Sequence, residues 1–259
     1  KYITKRVEYA DEIINISNDI ITYDFIKEDS QDSQYNPSDD ELLMLVEKEL
    51  EKGNRKQFIV LHTYGSHFNY RERYPETAAF FLPDFPVDAE VKYKDNLMNA
   101  YDNSIRYTDN FLARIIHLLK QQQVDASMLY TSDHGEDIFD DGRHLFLHAS
   151  PVPSYYQLHV PLLLWTSDSY REEYPGIEKA ASMNRQKNIS SSISFFQTMM
   201  ELAGIETPYR NDSLSVTSPL YTEKSRVYLN DHNEPRPLDD IGMRKEDFEM
   251  LKKRGIDAQ

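Results

Sequence analysis

Apolar positions along this chain fall into two kinds of run. Short continuous blocks occur at Gln57-Phe-Ile-Val-Leu61, at Met128-Leu-Tyr130 and at Val160-Pro-Leu-Leu-Leu-Trp-Thr-Ser167. Bounded by turn residues, they read as buried strands, the first as a central parallel strand. Pro161 sits near the start of its strand, where a missing N–H is tolerated. Longer segments space their apolar residues at three and four. One predicts a helix from a Ser38 or Asp39 cap to about Glu51, with Leu42, Leu43, Val46 and Leu50 on one face and Gly53 as its stop. A second covers residues 95–123, with a stripe of Leu97, Tyr101, Ile105, Thr108, Leu112, Ile115, Ile116 and Leu119. Asp102, Arg106 and Asp109 lie off that stripe and read as solvated. A third runs from Ile189 to Ala203, with Ile193, Phe196, Met199, Met200 and Leu202 inside, and stops at Gly204.

The segments between are less regular. Residues 7–17 are a strand-like patch, and residues 28–40 are a polar loop punctuated by Pro37. Residues 68–95, rich in aromatics and proline, read as a surface excursion that covers a sheet edge or shapes a pocket. Residues 137–158 read as a long loop. Val227-Tyr-Leu229 reads as a strand, and the charged end of the chain reads as frayed. Strand alternating with helix predicts an α/β fold with right-handed crossovers. One domain over residues 1–259 is expected, with 206–259 its less defined tail.

Composition narrows the class. The chain has 259 residues, 39% hydrophobic and 12% aromatic, enough for a sizeable core. A net charge of −15 argues against a nucleic-acid partner, since phosphate backbones need clustered Lys and Arg. There is no cysteine, which removes disulfides, thiolate metal sites and a Cys nucleophile. No apolar run approaches the ~20 residues of a membrane span, and no secretory signal follows Lys1. The chain opens on Lys1 rather than Met, which reads as a segment of a longer protein.

The candidate chemistry lies beyond the strand ends, where open α/β sheets gather ligands. Ser127-Met-Leu-Tyr-Thr-Ser-Asp-His-Gly-Glu136 runs from a strand straight into an adjacent carboxylate and imidazole, Asp133 and His134. That pair suits zinc. Gly135 lets the backbone turn sharply there. His67 and His148 also lie in strand-end loops and are candidates for the same site. His62, Glu136 and His144 stand open between a functional and a bland reading. His117, His159 and His232 read as structural or solvated.

Several blocks together, in order and spacing, resemble the lipid A phosphoethanolamine transferases of the sulfatase-like branch of the alkaline phosphatase superfamily. They are His62-Thr-Tyr-Gly-Ser-His67 with Arg73-Tyr-Pro75, Tyr101-Asp-Asn-Ser-Ile-Arg-Tyr-Thr-Asp109, Ser132-Asp-His-Gly-Glu136, Leu147-His148, and His159-Val-Pro-Leu-Leu-Leu-Trp165. The resemblance covers roughly residues 20–205. It implies an α/β/α sandwich with a mostly parallel central sheet, and one or two zinc ions at the strand ends. Asp133 and His134 would be zinc ligands; His67 and His148 would bind the phosphate or a second zinc and help proton traffic. It further implies transfer of phosphoethanolamine from a phospholipid to a lipid A phosphate through a threonine nucleophile, for which no position in this chain matches. The setting would be the periplasmic face of the bacterial inner membrane, with attachment through a membrane-spanning N-terminal region. This chain departs from the family in lacking cysteine, in Phe68-Asn69 where Gly-Pro is usual, and in the acidic loop Asp137-Ile-Phe-Asp-Asp-Gly-Arg143. Two other readings use the same residues: a sulfatase or phosphodiesterase of this fold, and a non-catalytic binding module that keeps it.

Overall fold

The computed structural model describes residues 2–4, 23–25, 38–53, 56–148, 152–229 and 234–256. The patch expected at residues 7–17, most of the loop at 28–40 and His232 lie outside them. The chain divides into two compact units, Lys1–Gln122 and Gln123–Gln259, and each is described by itself.

In the first unit, β1 (Tyr2–Thr4), β2 (Tyr23–Phe25) and β3 (Val60–His62) form a parallel sheet in the order β2-β1-β3. The predicted strand at 57–61 thus begins later and ends on His62; Phe58 is exposed ahead of it. Helix α1 (Glu41–Glu51) buries Leu42, Leu43 and Val46, as its spacing predicts. Its cap differs from expectation. Asp40 occupies the N-cap position without a side-chain cap. The Asp40 carboxylate instead accepts from Tyr107 Oη at 2.6 Å and pairs with Arg114 at 2.9 Å. Asp39 is drawn away by the loop after β3.

Helix α2 (Lys94–Gln122) matches its predicted range closely, but its buried stripe is rotated. Ala100, Asn103, Ser104 and Phe111 are buried, whereas Ile105 is 45% exposed. The reason is polar. Asn103, 0% exposed, accepts from the N–H of Phe80 and of Phe81 at 2.9 Å each and donates to Phe81 O at 3.0 Å. Tyr74 Oη donates to buried Asp84 at 2.8 Å beside it. The 68–95 excursion is therefore tied to the helix by a buried polar knot, which a hydrophobic stripe cannot anticipate.

In the second unit, β4 (Ser127–Thr131) pairs with a strand at Leu162–Thr166 in antiparallel register, Leu129 opposite Leu164. Both strands were expected; their antiparallel pairing stands apart from a mostly parallel sheet. The stretch read as a long loop contains a hairpin, β5 (Asp137–Ile138) with β6 (Phe146–Leu147), and helix α3 (Tyr155–Leu158). After β7 (Leu162–Thr166) come α4 (Asp168–Glu173), α5 (Pro175–Asn184) and α6 (Ser191–Leu202). On α6, Phe196 is 48% exposed while Ser194 and Thr198 are buried. Thr198 Oγ1 accepts from Val216 N at 3.0 Å, so a polar contact again takes a place expected to be apolar.

The described part of the tail is folded rather than frayed. Strand β8 (Val227–Leu229) pairs with β9 (Pro235–Pro237), and α7 (Lys245–Lys253) packs on α3. Tyr155, Leu238, Met243 and Leu251 form one buried cluster there.

Candidate active site

The site of the second unit begins where β4 ends. After Thr131 the chain turns through Ser132-Asp-His-Gly135 and lies against α3, with Gly135 N donating to Gln157 O at 2.7 Å. A Cβ on residue 135 would sit 2.0 Å from Tyr156 O. Glycine is needed for this close approach rather than for an unusual turn, which corrects the reason its place in the motif suggests. Ser132 Oγ donates to His134 O at 2.7 Å and closes the turn.

His134 Nδ1 lies 2.9 Å from Gly135 O. A carbonyl only accepts, so Nδ1 carries the proton, and Nε2 keeps its lone pair. Asp133 Oδ2 lies 3.7 Å from that Nε2, on a side chain 87% exposed. Two ligands on one zinc at tetrahedral angles stand about 3.4 Å apart, so this pair fits a shared zinc with little adjustment.

On the other side of His134 stand Glu136 and His148. These three residues each bring a ligand atom within 4.8 Å of the others. The rings of His134 and His148 stack, with centroids 3.7 Å apart. Glu136 Oε1 is 3.1 Å from His148 Nδ1 and 4.0 Å from His134 Nδ1. The Glu136 side chain is 4% exposed, and its Oε2 is buried without a hydrogen-bond partner. Burial pushes its carboxyl up to about 7; His134 offsets part of this, while Asp133 and Asp137 add to it. A buried carboxylate with one oxygen unpaired, beside two imidazoles, is an arrangement that nearby positive charge relieves.

The hairpin explains why residues twelve apart meet. Asp137 opposes Leu147 and Ile138 opposes Phe146, so one step outward sets residue 136 across from 148. Behind the hairpin, Asp137 accepts from Ser154 Oγ at 2.8 Å and from Gln157 Nε2 at 2.5 Å. Burial raises the Asp137 carboxyl, with these two donors opposing. At the hairpin loop, Arg143 forks onto Asp141 and onto Asp247 of α7, with Nη1–Oδ2 at 2.7 Å and Nη2–Oδ1 at 2.8 Å to the latter.

His67 lies in the first unit, in a turn closed by His67 N donating to Tyr64 O at 3.0 Å. Its Nδ1 is 2.5 Å from Phe68 O. The turn is fixed by Asp39, whose carboxylate accepts from Tyr64 N at 3.0 Å and Gly65 N at 2.8 Å. Asp133, His134 and His148 are thus gathered in one place in the second unit, and His67 is built into a separate turn of the first. His144 lies at the hairpin turn with φ 54°. His159 stacks on Tyr155 and is lowered by burial and by Arg254 and Arg226; His117 is on an exposed helix face. Both match their structural or solvated reading. Asp39, Arg143 and Asp247 were missed. Only the hairpin left a usable trace, two apolar pairs either side of Asp-Asp-Gly142.

The family model described as Sulfatase matches residues 8–205, and the chain belongs to that family. Among curated proteins it is 36% identical over 157 residues to the phosphoethanolamine transferase EptA of Escherichia coli K12, covering 58% of this chain and 28% of that one. It is 32% identical over 178 residues to the Kdo(2)-lipid A phosphoethanolamine 7''-transferase of the same organism, covering 65% and 31%. The chain therefore spans about a third or less of the length of these relatives. Its fold matches the C-terminal periplasmic domain of EcEptC from Escherichia coli, solved in complex with Zn, with a TM-score of 0.77 at 22% identity, covering 93% of this chain and 68% of that one. The expected α/β fold is borne out by that match, and its sulfatase-like class by the family model.

Proposed function

We propose that this chain is catalytic machinery of a zinc-dependent phosphoethanolamine transferase, which moves the group from a phospholipid donor to a lipid A phosphate at the periplasmic face of a bacterial inner membrane. The names of the two curated relatives support the transferred group, and that of the second supports an acceptor of the lipid A class. The zinc-bound periplasmic domain of like fold supports the metal and the compartment. No helix among the described residues is long and apolar enough to cross a membrane; attachment through a further region of the protein is part of the proposal.

The observation that carries it is the 2.9 Å contact of His134 Nδ1 with Gly135 O, which leaves Nε2 open opposite Asp133. These two residues would hold zinc. Bound there, the ion would lower the pKa of a nucleophilic hydroxyl and draw charge from the phosphoryl oxygens. His148, partly exposed beside them, can give a proton to, or take one from, the oxygen that leaves or arrives. His67, whose Nδ1–H is taken by Phe68 O, is assigned the complementary task of donating from Nε2 to a phosphoryl oxygen when its ring is protonated.

Zinc content and transfer to lipid A, read by mass spectrometry, test this in the full-length protein. His134→Ala is expected to lose most bound zinc and to cut transfer by roughly 10²-fold or more while circular dichroism stays unchanged. Turnover near the wild-type rate would rule out the metal assignment. His148→Ala is expected to slow transfer by roughly 10²-fold and leave zinc content in place.

A further inference from the structure

We infer that Glu136 is a positioning residue whose carboxylate takes the Nδ1–H of His148 and so presents the Nε2 edge of that imidazole for proton exchange. Four observations support this. The ladder register sets the two residues opposite each other at the open end of the β5–β6 hairpin. Glu136 Oε1 is closer to His148 Nδ1, at 3.1 Å, than to His134 Nδ1, at 4.0 Å, and the latter already has Gly135 O as acceptor. The carboxylate is buried behind a ring that is 38% exposed, so the pair is ordered from interior to surface. Glu136 Oε2 has no partner; a carboxylate kept only to knit the fold would use both oxygens.

The surroundings keep the pair stiff. Stacking on His134 restricts rotation of the His148 ring. The far end of the hairpin is held by Arg143 to Asp247, which is fully buried. A carboxylate that orients an imidazole fixes which nitrogen carries the proton and which edge of the ring faces outward.

The inference rests on the transferase reading only for its kinetic arm. In the ¹⁵N-labelled chain, two-bond proton–nitrogen correlations at about pH 8, above the usual histidine range, report the His148 tautomer directly. The expected result is Nδ1–H in the wild type, kept in Glu136→Gln, whose amide oxygen still accepts, and exchanged for Nε2–H in Glu136→Ala. An Nε2–H ring in the wild type overturns the proposal. In the full-length protein, Glu136→Ala is expected to lower kcat about 10- to 100-fold, with KM moved less than about twofold and zinc content unchanged. The same substitution in a His148→Ala background is expected to cost nothing further. Independent losses in the two backgrounds, or zinc lost with Glu136→Gln, would also overturn it. If His148→Ala keeps full turnover while the tautomer behaves as expected, the acid–base role proposed above fails and the positioning stands.

Discussion

At residue 135 the chain has no room for a single methyl group. The nearest atom is a backbone oxygen, Tyr156 O, which cannot rotate away as a side chain would. Gly135→Ala is therefore expected to push α3 off the turn, cost about 1–3 kcal/mol and lower the melting temperature by several degrees. Gly142→Ala, with nothing within 4 Å, is the control and should stay within about 0.5 kcal/mol of wild type. Equal melting temperatures for the two variants would contradict the close approach. The residues that stand out most readily in the sequence are those whose pattern is local. Asp133, His134 and Gly135 are adjacent, follow a strand, and needed no partner from elsewhere to stand out. Asn103 shows the opposite case. A polar residue on a helix reads as solvated, and only the folded excursion supplies the Phe80 and Phe81 backbone groups that make it a buried hub.

At the scale of elements, the β5–β6 hairpin joins the site to the last helix. Asp247, 0% exposed, accepts from Arg143, from Tyr155 N at 2.9 Å and from Arg244 N at 3.1 Å. Burial alone would raise its carboxyl; the Arg143 guanidinium and the two backbone donors outweigh burial and hold it below the ordinary value. A lowered folded pKa means that the native state binds fewer protons than the unfolded one. The stabilisation is thus complete above the unfolded value, near 3.8, and is lost as pH falls through the folded value. Asp247→Asn should cost about 3–5 kcal/mol at neutral pH, because it leaves a buried guanidinium half-paired. Urea midpoints at neutral pH and near pH 3 check the sign: the gap between wild type and variant should narrow in acid. A gap independent of pH would mean that Asp247 holds Arg143 through shape alone. This joint was invisible in sequence because Arg143 and Asp247 are far apart, and each lies in a segment that reads as charged surface. The main helices and strands were legible because each carries its own periodicity; the hairpin and α3 are too short to show one.

At the scale of the whole chain, the family match ends at residue 205, yet the folded structure continues well beyond it. Val216, Thr217, Ser218 and Tyr221 are buried, and Leu238, Met243 and Leu251 close over Tyr155. Tyr155 begins the helix whose next two carbonyls face Gly135, so the tail supports the turn that carries His134 at one remove. Removing residues 234–256 would take away three buried apolar side chains, Leu238, Met243 and Leu251, each worth about 1.5–3 kcal/mol, and would uncover Tyr155. It would also leave Arg143 without Asp247. Together these losses approach the roughly 5–15 kcal/mol that stabilises a typical domain. A chain shortened in this way is expected to lose the cooperative unfolding of the second unit and to bind zinc at least tenfold more weakly. Urea unfolding followed by near-ultraviolet circular dichroism, with zinc titrations alongside, would measure both. An unchanged midpoint and zinc affinity would show that the segment within the family match holds the site by itself, and that the tail only shields it.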